Sequence, residues 1–120
     1  MAKFGKMKLV IEFLDGNVWK LHRLFRYIDD SGLEIIVPKG FIFDGASIPK
    51  RLWHVVGHPL GEYLPAALIH DFLYSNHLIG RKEADKVFYR AMIACKVPAI
   101  KAKMMYAAVR AFGWKNYKED

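Results

Sequence analysis

The sequence lacks the features of a disulfide-rich or membrane-spanning protein. Its 120 residues include one cysteine, Cys95, which excludes a framework of disulfide bonds. The longest apolar runs, such as 7–13 and 33–37, are far shorter than the roughly 20 residues that a membrane-spanning helix needs. The lysine-containing start leads into a strand-like run without a small-residue cleavage site. We therefore expect no signal peptide and a protein that begins in the cytoplasm.

Acidic residues are outnumbered, 12 against 19 lysines and arginines, which leaves a net charge of +7 with neutral histidine. Such a charge favours an anionic partner, for which nucleic acid, phospholipid head groups and an acidic protein surface are candidates. The alternative is a charge spread over a solvated surface that serves solubility. Because 53% of the residues are hydrophobic and 14% are aromatic, a disordered chain is excluded.

The first part of the chain, about 7–45, has the composition of short strands. Three apolar runs at 8–13, 17–28 and 33–37 are separated by turn residues, and Pro38 ends the third because proline cannot donate to a central ladder. Three strands at hairpin spacing predict one small antiparallel sheet.

The second part, about 48–114, has helical periodicity. The pattern predicts a short helix at 51–53 and three longer ones, from Glu62 to about Ser75, from Arg81 to about Ala94, and from Pro98 to Gly113. We expect a single α+β domain over 1–120, in which a small N-terminal antiparallel β-sheet is followed by three or four helices.

The strongest candidate for chemistry is a histidine in the first long helix. His70 and Tyr74 are four residues apart and share a helix face, with Asp71 rotated by about 100°. Histidine accepts a proton near neutral pH, and a neighbouring carboxylate can hold its ring and tautomer. Asp85, one turn into an antiparallel helix, could reach His70 or Tyr74, and Arg81 could pair with either aspartate. The structural alternative is a buried polar network that satisfies itself and holds the helix pair together.

Three separated motifs closely resemble the phage and prophage proteins grouped as domain of unknown function 1353. The resemblance covers about Phe41 to Met92 and is carried by Phe43-Asp44-Gly45-Ala46-Ser47-Ile48-Pro49, Trp53, Ala66-Ala67-Leu68-Ile69-His70-Asp71-Phe72-Leu73-Tyr74 and Arg81-Lys82-Glu83-Ala84-Asp85-Lys86-Val87-Phe88. It implies a bacteriophage origin, expression in the cytoplasm of the infected bacterial host, and a place among virion, tail or lysis-module components.

A local resemblance adds chemistry. His70-Asp71-x-x-Tyr74 with Asp85 on the next helix looks like the catalytic helices of secreted and parvoviral phospholipases A2. It implies that His70 is the general base, that Asp71 is a calcium ligand, and that Tyr74 and Asp85 orient His70. Further calcium oxygens would come from loop 40–47 or 57–61. The sequence departs from that pattern because it lacks the glycine- and cysteine-rich calcium loop and the disulfides.

Two other motifs have simpler explanations. Ser47 lacks the strand-turn-helix elbow of a nucleophile, so a helix cap explains Asp44 and Ser47 more simply. If the loop folds over the helix pair, however, Asp44 joins Asp71 as a metal ligand. His54 and His58 have the spacing of a helical zinc site, but the glycine and proline around them disfavour a continuous helix.

The last helix and its tail mix cations with aromatic residues. Its apolar side consists of Ile100, Met104, Ala107, Ala108 and Ala111, and its other side of Lys101, Lys103 and Arg110. This stretch could touch a membrane surface or a nucleic acid backbone, and the plain alternative is an amphipathic closing helix. No motif supports sequence-specific nucleic acid binding.

Two hypotheses follow. In the first, the protein is hydrolase-like: His70 activates water on an ester or cell-envelope substrate, Tyr74 and Asp85 orient it, and Asp71 with Asp44 binds a divalent cation such as Ca²⁺. In the second, the protein is a non-catalytic virion or tail-assembly component, whose buried network locks the helices and whose basic surface docks on an acidic partner.

Overall fold

The structure, a computed structural model, describes residues 3–4, 9–15, 18–44, 63–115 and 117. Short strands come first and helices follow, which confirms the predicted α+β class. The strands are β1 (Lys3–Phe4), β2 (Ile11–Asp15), β3 (Val18–Leu21), β4 (Phe25–Ile28), β5 (Glu34–Val37) and β6 (Ile42–Phe43). The helices are α1 (Leu64–Asn76), α2 (Arg81–Ala94) and α3 (Ala99–Phe112), and a 3₁₀ turn covers Gly113–Lys115.

The strands form two antiparallel sheets where the sequence predicts one. One sheet has the order β1-β4-β5 and the other β2-β3-β6. The run 17–28, predicted as a single strand, divides because residues 22–24 are all exposed between two buried stretches. Trp19 pairs with Phe43 in one sheet, whereas Phe25 pairs with Val37 in the other. The prediction of one sheet is therefore wrong.

The turn between β4 and β5 forms as predicted. Gly32 has φ +91°, a left-handed conformation that favours glycine, and its N–H donates to the carbonyl of Asp29 at 2.9 Å. Strand β5 ends at Val37, immediately before Pro38. This turn places Asp29 where its side chain can meet the helical half.

Helix α1 is the central helix of the described fold. It is apolar on most sides, as expected of a helix that is covered on most sides. Its buried residues are Ala66, Ala67, Leu68, Ile69, His70, Asp71, Leu73 and Tyr74. It contacts β5 and β6 on the sheet side and α2 on the other. Two polar side chains, His70 and Asp71, are thereby carried into the interior.

Helix α2 has the predicted bounds and the predicted buried face. Its apolar residues recur at steps of three and four, and the buried ones are Ala84, Val87, Phe88, Ala91 and Met92. Asp85 is buried beside them. The helix contacts α1, α3 and β1. It therefore links both halves of the fold.

Helix α3 has nearly the predicted bounds but does not pack through the predicted side. Its buried residues are Ala102, Met105 and Val109. Ile100 and Met104, which belong to the predicted apolar side, are 76% and 48% exposed. The helix packs on α2 through Ala102, Met105 and Val109 instead, so the predicted apolar side is wrong. Arg110 of this helix pairs with α2, as described below.

Some predictions lie outside the described residues: the short helix at 51–53, Ser47, His54 and His58. Within the part of the chain that the structure describes, no helix is long and apolar enough to span a bilayer.

Candidate functional site

The side chain of Asp85 joins α1 to α2. Its Oδ1 lies 2.7 Å from Nε2 of His70 and accepts a hydrogen bond of 2.5 Å from the hydroxyl of Tyr74. His70 and Tyr74 reach the same oxygen because they are one helical turn apart on α1. The structure thus brings together the three residues that the sequence predicts as catalytic.

The second oxygen of Asp85 is held by α3. Arg110 Nη1 donates to Oδ2 at 2.7 Å. Arg81, the predicted partner of an aspartate, instead donates to the backbone carbonyls of Val109 and Arg110 at 2.7 and 2.6 Å. The cation that neutralises Asp85 therefore comes from the last helix. Sequence reasoning missed it because Arg110 is 25 residues away and no local pattern marks it.

The pair of His70 and Asp85 is closed to solvent. The side chains of His70 and Asp85 are both fully buried. The imidazole of His70 packs between two rings, with centroid distances of 4.1 Å to Tyr74 and 4.5 Å to Phe88. These contacts fix the plane of the ring, so the direction of each ring nitrogen is set by packing as well as by hydrogen bonding.

The surroundings keep Asp85 ionised. Burial alone raises the pKa of a carboxyl group, but the hydrogen bonds from His70 and Tyr74 and the guanidinium of Arg110 outweigh it and hold the pKa of Asp85 below its ordinary value. Burial and the neighbouring Asp85 raise the pKa of Tyr74, so its phenol stays protonated. An ionised carboxylate only accepts hydrogen bonds, so the nitrogen that faces it, His70 Nε2, carries a proton.

Two further residues, Gly113 and Tyr117, adjoin Tyr74 at the end of α3. A Cβ on Gly113 would lie 2.7 Å from the Tyr74 hydroxyl oxygen, so glycine leaves the room that this hydroxyl occupies. Tyr117 packs edge-on against Tyr74 with a centroid distance of 5.2 Å and donates to the carbonyl of Ile79 at 3.1 Å. The position of Tyr74 is therefore set from α2 and from the C-terminal turn.

The two predicted metal ligands lie outside this hydrogen-bonded cluster. Asp71 is buried in α1 with 8% of its surface exposed, and Asp44 is exposed at the end of β6. Among the described residues, no three histidine, cysteine, aspartate or glutamate side chains are grouped to hold a metal ion. Residues 45–47 of loop 40–47, and all of 57–61, lie outside the described residues. The calcium site stays a prediction.

A second buried carboxylate, Asp29, has a closely similar set of partners. It accepts from the Tyr27 hydroxyl at 3.0 Å, from the Ser31 hydroxyl at 2.8 Å and from Arg90 Nε at 3.1 Å. Burial raises the pKa of Asp29, but the hydrogen bonds from Arg90 and Ser31 lower it below its ordinary value. This cluster fastens the β4–β5 turn to α2, and sequence reasoning missed it because Arg90 is 61 residues from Asp29.

The family of the chain follows from its match to a family model. The model described as "Protein of unknown function (DUF1353)" matches residues 19–109, most of the chain. The chain belongs to the DUF1353 family. This confirms the family resemblance of the sequence motifs, and the matched DUF1353 region contains His70, Tyr74 and Asp85. Bacteriophage origin and the resemblance to phospholipase A2 stay predictions.

Two DUF1353 relatives come from Sinorhizobium fredii (strain NBRC 101917 / NGR234). Uncharacterized protein y4jT is 39% identical over 106 residues, which cover 85% of this chain and 32% of that protein. Uncharacterized protein y4iH is 41% identical over 90 residues, which cover 74% of this chain and 38% of that protein. The chain thus spans about a third of the length of these relatives. No solved structure matches it.

Proposed function

We propose that the protein is a hydrolase in which His70 activates water for attack on an ester or cell-envelope substrate. The observation that carries the proposal is that one carboxylate oxygen, Asp85 Oδ1, takes both the imidazole of His70 and the hydroxyl of Tyr74. This is the arrangement expected if Asp85 and Tyr74 orient a general base.

The proposed chemistry begins with the tautomer of His70. Because Nε2 carries the proton that faces Asp85, the lone pair of the neutral ring is on Nδ1. In the proposed step, which requires an opening because the His70 side chain is fully buried, Nδ1 takes a proton from water while the oxygen of that water attacks the substrate carbonyl. The same proton then passes to the leaving group as its bond to the carbonyl carbon breaks. Asp85 stabilises the imidazolium that forms between the two transfers.

The cluster around Asp29 supports this interpretation by comparison. Both clusters contain a buried aspartate, a tyrosine hydroxyl and an arginine, and both join separate elements. At Asp29, a tyrosine, an arginine and a serine anchor a buried carboxylate without a histidine. The cluster at Asp85 differs by His70, whose imidazole is the kind of group that general base catalysis uses most often.

In this proposal, a divalent cation would be bound by Asp71 and Asp44. Calcium takes six to eight oxygen ligands, and two carboxylates do not supply them. A calcium ion held by Asp71 and Asp44 would therefore need further oxygen ligands. If calcium binds, its chemistry would be to polarise the substrate carbonyl.

The test measures hydrolysis by the whole chain on two probes. Fatty acid release from vesicles of phosphatidylcholine and phosphatidylglycerol tests ester cleavage, and release of soluble fragments from purified bacterial cell walls tests envelope cleavage. Each assay is run with added calcium chloride and with EDTA. We expect one probe to be cleaved and His70→Gln to lower the rate by roughly a hundredfold or more. Cleavage of neither probe, or full activity in His70→Gln, would reject the proposal.

A matched pair of variants separates positioning from stability. Tyr74→Phe and Tyr27→Phe each remove a hydroxyl that donates to a buried aspartate paired with an arginine. We expect similar losses of stability, on the order of 1 kcal/mol each. Only Tyr74→Phe should also change the pH profile of hydrolysis, because it alters the partner of His70. Equal effects of the two variants on activity at matched folded fraction would assign Tyr74 a structural role.

The complete burial of the cluster favours a second candidate, a non-catalytic virion or tail component. Asp85 ties α1, α2 and α3 together with side chains that are 0% exposed at His70 and Asp85. A network of that kind is what helix packing alone requires. This candidate places the protein in purified phage particles, where mass spectrometry would detect it, and in a salt-sensitive complex with an acidic phage protein. Absence from purified particles would reject it.

A further inference from the structure

The outward side of α3 carries an apolar strip. Ile100 and Met104 are four residues apart, and Ala107 and Ala111 continue the same line along the helix. All four are exposed, Ile100 by 76% and Met104 by 48%. We call this strip the outer face of α3. Soluble domains rarely align exposed apolar side chains in this way unless something covers them.

The outer face lies within the most basic part of the chain. Residues 81–115 contain nine of the 19 lysines and arginines but two of the 12 acidic residues. The rest of the chain has ten of each, so the whole net charge of +7 resides in 81–115. Of the two acidic residues, Asp85 is buried and paired with Arg110, which leaves Glu83 at the surface. The surface around α2 and α3 is therefore strongly positive.

Cationic and aromatic side chains border the outer face on its α2 side. Lys103 is exposed, and it neighbours Ile100 and Ala107 on the helix because it is three and four residues away from them. With Lys86, Arg90, Tyr89 and Tyr106, it lines a cavity of about 210 Å³ between α2 and α3. The rings of Tyr89 and Tyr106 meet edge-on at 5.9 Å. Lysine and tyrosine are the side chains that a membrane interface favours beside an apolar strip.

We propose that the outer face of α3 binds the surface of an anionic lipid bilayer. Ile100 and Met104 enter the boundary between head groups and acyl chains, and the surrounding lysines meet lipid phosphates. The exposed Trp114, 59% accessible in the turn after α3, suits the same depth. This inference does not depend on whether His70 is catalytic.

Charge and side-chain type favour a bilayer over other occupants. A two-fold contact between copies of this chain would bring the same positive surface against itself. Single-stranded nucleic acid is held by bases stacked on aromatic rings, and the outer face presents aliphatic side chains instead. A convex strip of apolar residues bordered by cations matches the layered chemistry of a head-group region.

The experiment is co-sedimentation of the whole chain with two kinds of vesicles, phosphatidylcholine alone and phosphatidylcholine mixed with phosphatidylglycerol. We expect binding to the mixed vesicles that weakens as salt is added and much weaker binding to the neutral ones. The double variant Ile100→Glu/Met104→Glu should lower the partition coefficient for the mixed vesicles by roughly tenfold or more. Both positions are exposed, so the fold should tolerate the change.

The control is Phe13→Glu/Ile42→Glu. These side chains are 59% and 55% exposed on β2 and β6, and the control changes the net charge by the same amount. It should retain most of the binding. Equal loss in both double variants, or no binding of the parent chain to the mixed vesicles, would overturn the proposal. A concentration-dependent dimer of the parent chain that disappears in Ile100→Glu/Met104→Glu would also overturn it, because it would assign the face to a second copy.

Discussion

The side chain of Tyr74 occupies the space into which a residue larger than Gly113 would project. A Cβ at Gly113 would lie 2.7 Å from the Tyr74 hydroxyl oxygen and 3.4 Å from the nearest ring carbons. The hydroxyl cannot simply turn away, because it donates to the buried Asp85. Glycine at position 113 of the C-terminal turn thus leaves room for the hydrogen bond that Tyr74 of α1 donates to Asp85 of α2.

We expect Gly113→Ala to destabilise the protein by about 1–3 kcal/mol through this overlap. The backbone at Gly113 has φ −69°, which alanine adopts without strain, so the effect should come from Tyr74 alone. In a Tyr74→Phe background the obstructing oxygen is gone, and the added cost of Gly113→Ala should fall by about 1 kcal/mol or more. Urea unfolding of the four proteins in this cycle measures the coupling.

Gly80→Ala is the control for the cycle. A Cβ at Gly80 would meet nothing within 4 Å, so the effect of the change should be independent of Tyr74. Additive effects of Gly113→Ala and Tyr74→Phe would contradict the overlap.

Asp85→Asn should lower the free energy of unfolding by about 3 kcal/mol. The substitution keeps the shape but removes the charge that His70, Tyr74 and Arg110 share in a buried place. Chemical denaturation at neutral pH gives the value. Glu83→Gln, which removes an exposed charge 3.6 Å from Lys86, should change stability by less than about 0.5 kcal/mol. Similar effects of the two substitutions would show that the Asp85 cluster adds little to stability.

The stability that Asp85 and Asp29 provide should decrease at low pH. Both carboxyl groups have a pKa below the ordinary value of 3.8 in the folded chain. A lowered folded-state pKa means that the stabilisation is fully present well above 3.8 and is lost as the pH falls through the folded-state pKa. The stability difference between the parent chain and Asp85→Asn should therefore shrink below about pH 4. A difference that stays constant down to acid unfolding would contradict this.

Truncation of two neighbouring methionines on α3 should change stability to very different extents. Met105 is 1% exposed and Met104 is 48% exposed. Met105→Ala should cost about 2–5 kcal/mol because it leaves a cavity in the core. Met104→Ala should change stability by less than about 0.5 kcal/mol. Thermal unfolding of the two variants distinguishes the observed packing from the predicted one. With the predicted packing, Met104→Ala would be the more destabilising change.

The bounds and buried face of α2 could be predicted from the sequence, whereas the buried face of α3 could not. The distribution of apolar residues around each helix explains both results. In α2 the apolar residues occupy one side and the lysines the other, so hydropathy selects the buried face. In α3, apolar residues occur on several sides, and Met104 and Met105 are equally hydrophobic. The observed orientation includes tertiary contacts, such as that of Arg110 with Asp85, which hydropathy does not reveal. The predicted strand 17–28 divides between two sheets at the exposed residues 22–24. This division likewise depends on pairing between distant strands.

The candidate site was partly visible in the sequence. His70 and Tyr74 share a face because of helical geometry, and Asp85 faces them because a short connection makes α1 and α2 antiparallel. Arg110 and the pair of Asp29 with Arg90 had no such local signal, since each partner is placed by the folding of an intervening element. The role of the predicted ligands Asp71 and Asp44 stays a prediction.

Helix α2 forms ion pairs with two other parts of the fold. It supplies Asp85 to Arg110 of α3 and Arg90 to Asp29 of the β4–β5 turn. These two side chains are five residues apart, about 140° around the helix axis, so they fasten it from different directions. A fluctuation that rotates or slides α2 must break both ion pairs at once. Backbone amides in β4, β5 and α3 should therefore exchange with solvent deuterium through a shared opening, so that a sheet and a helix distant in sequence behave as one cooperative unit.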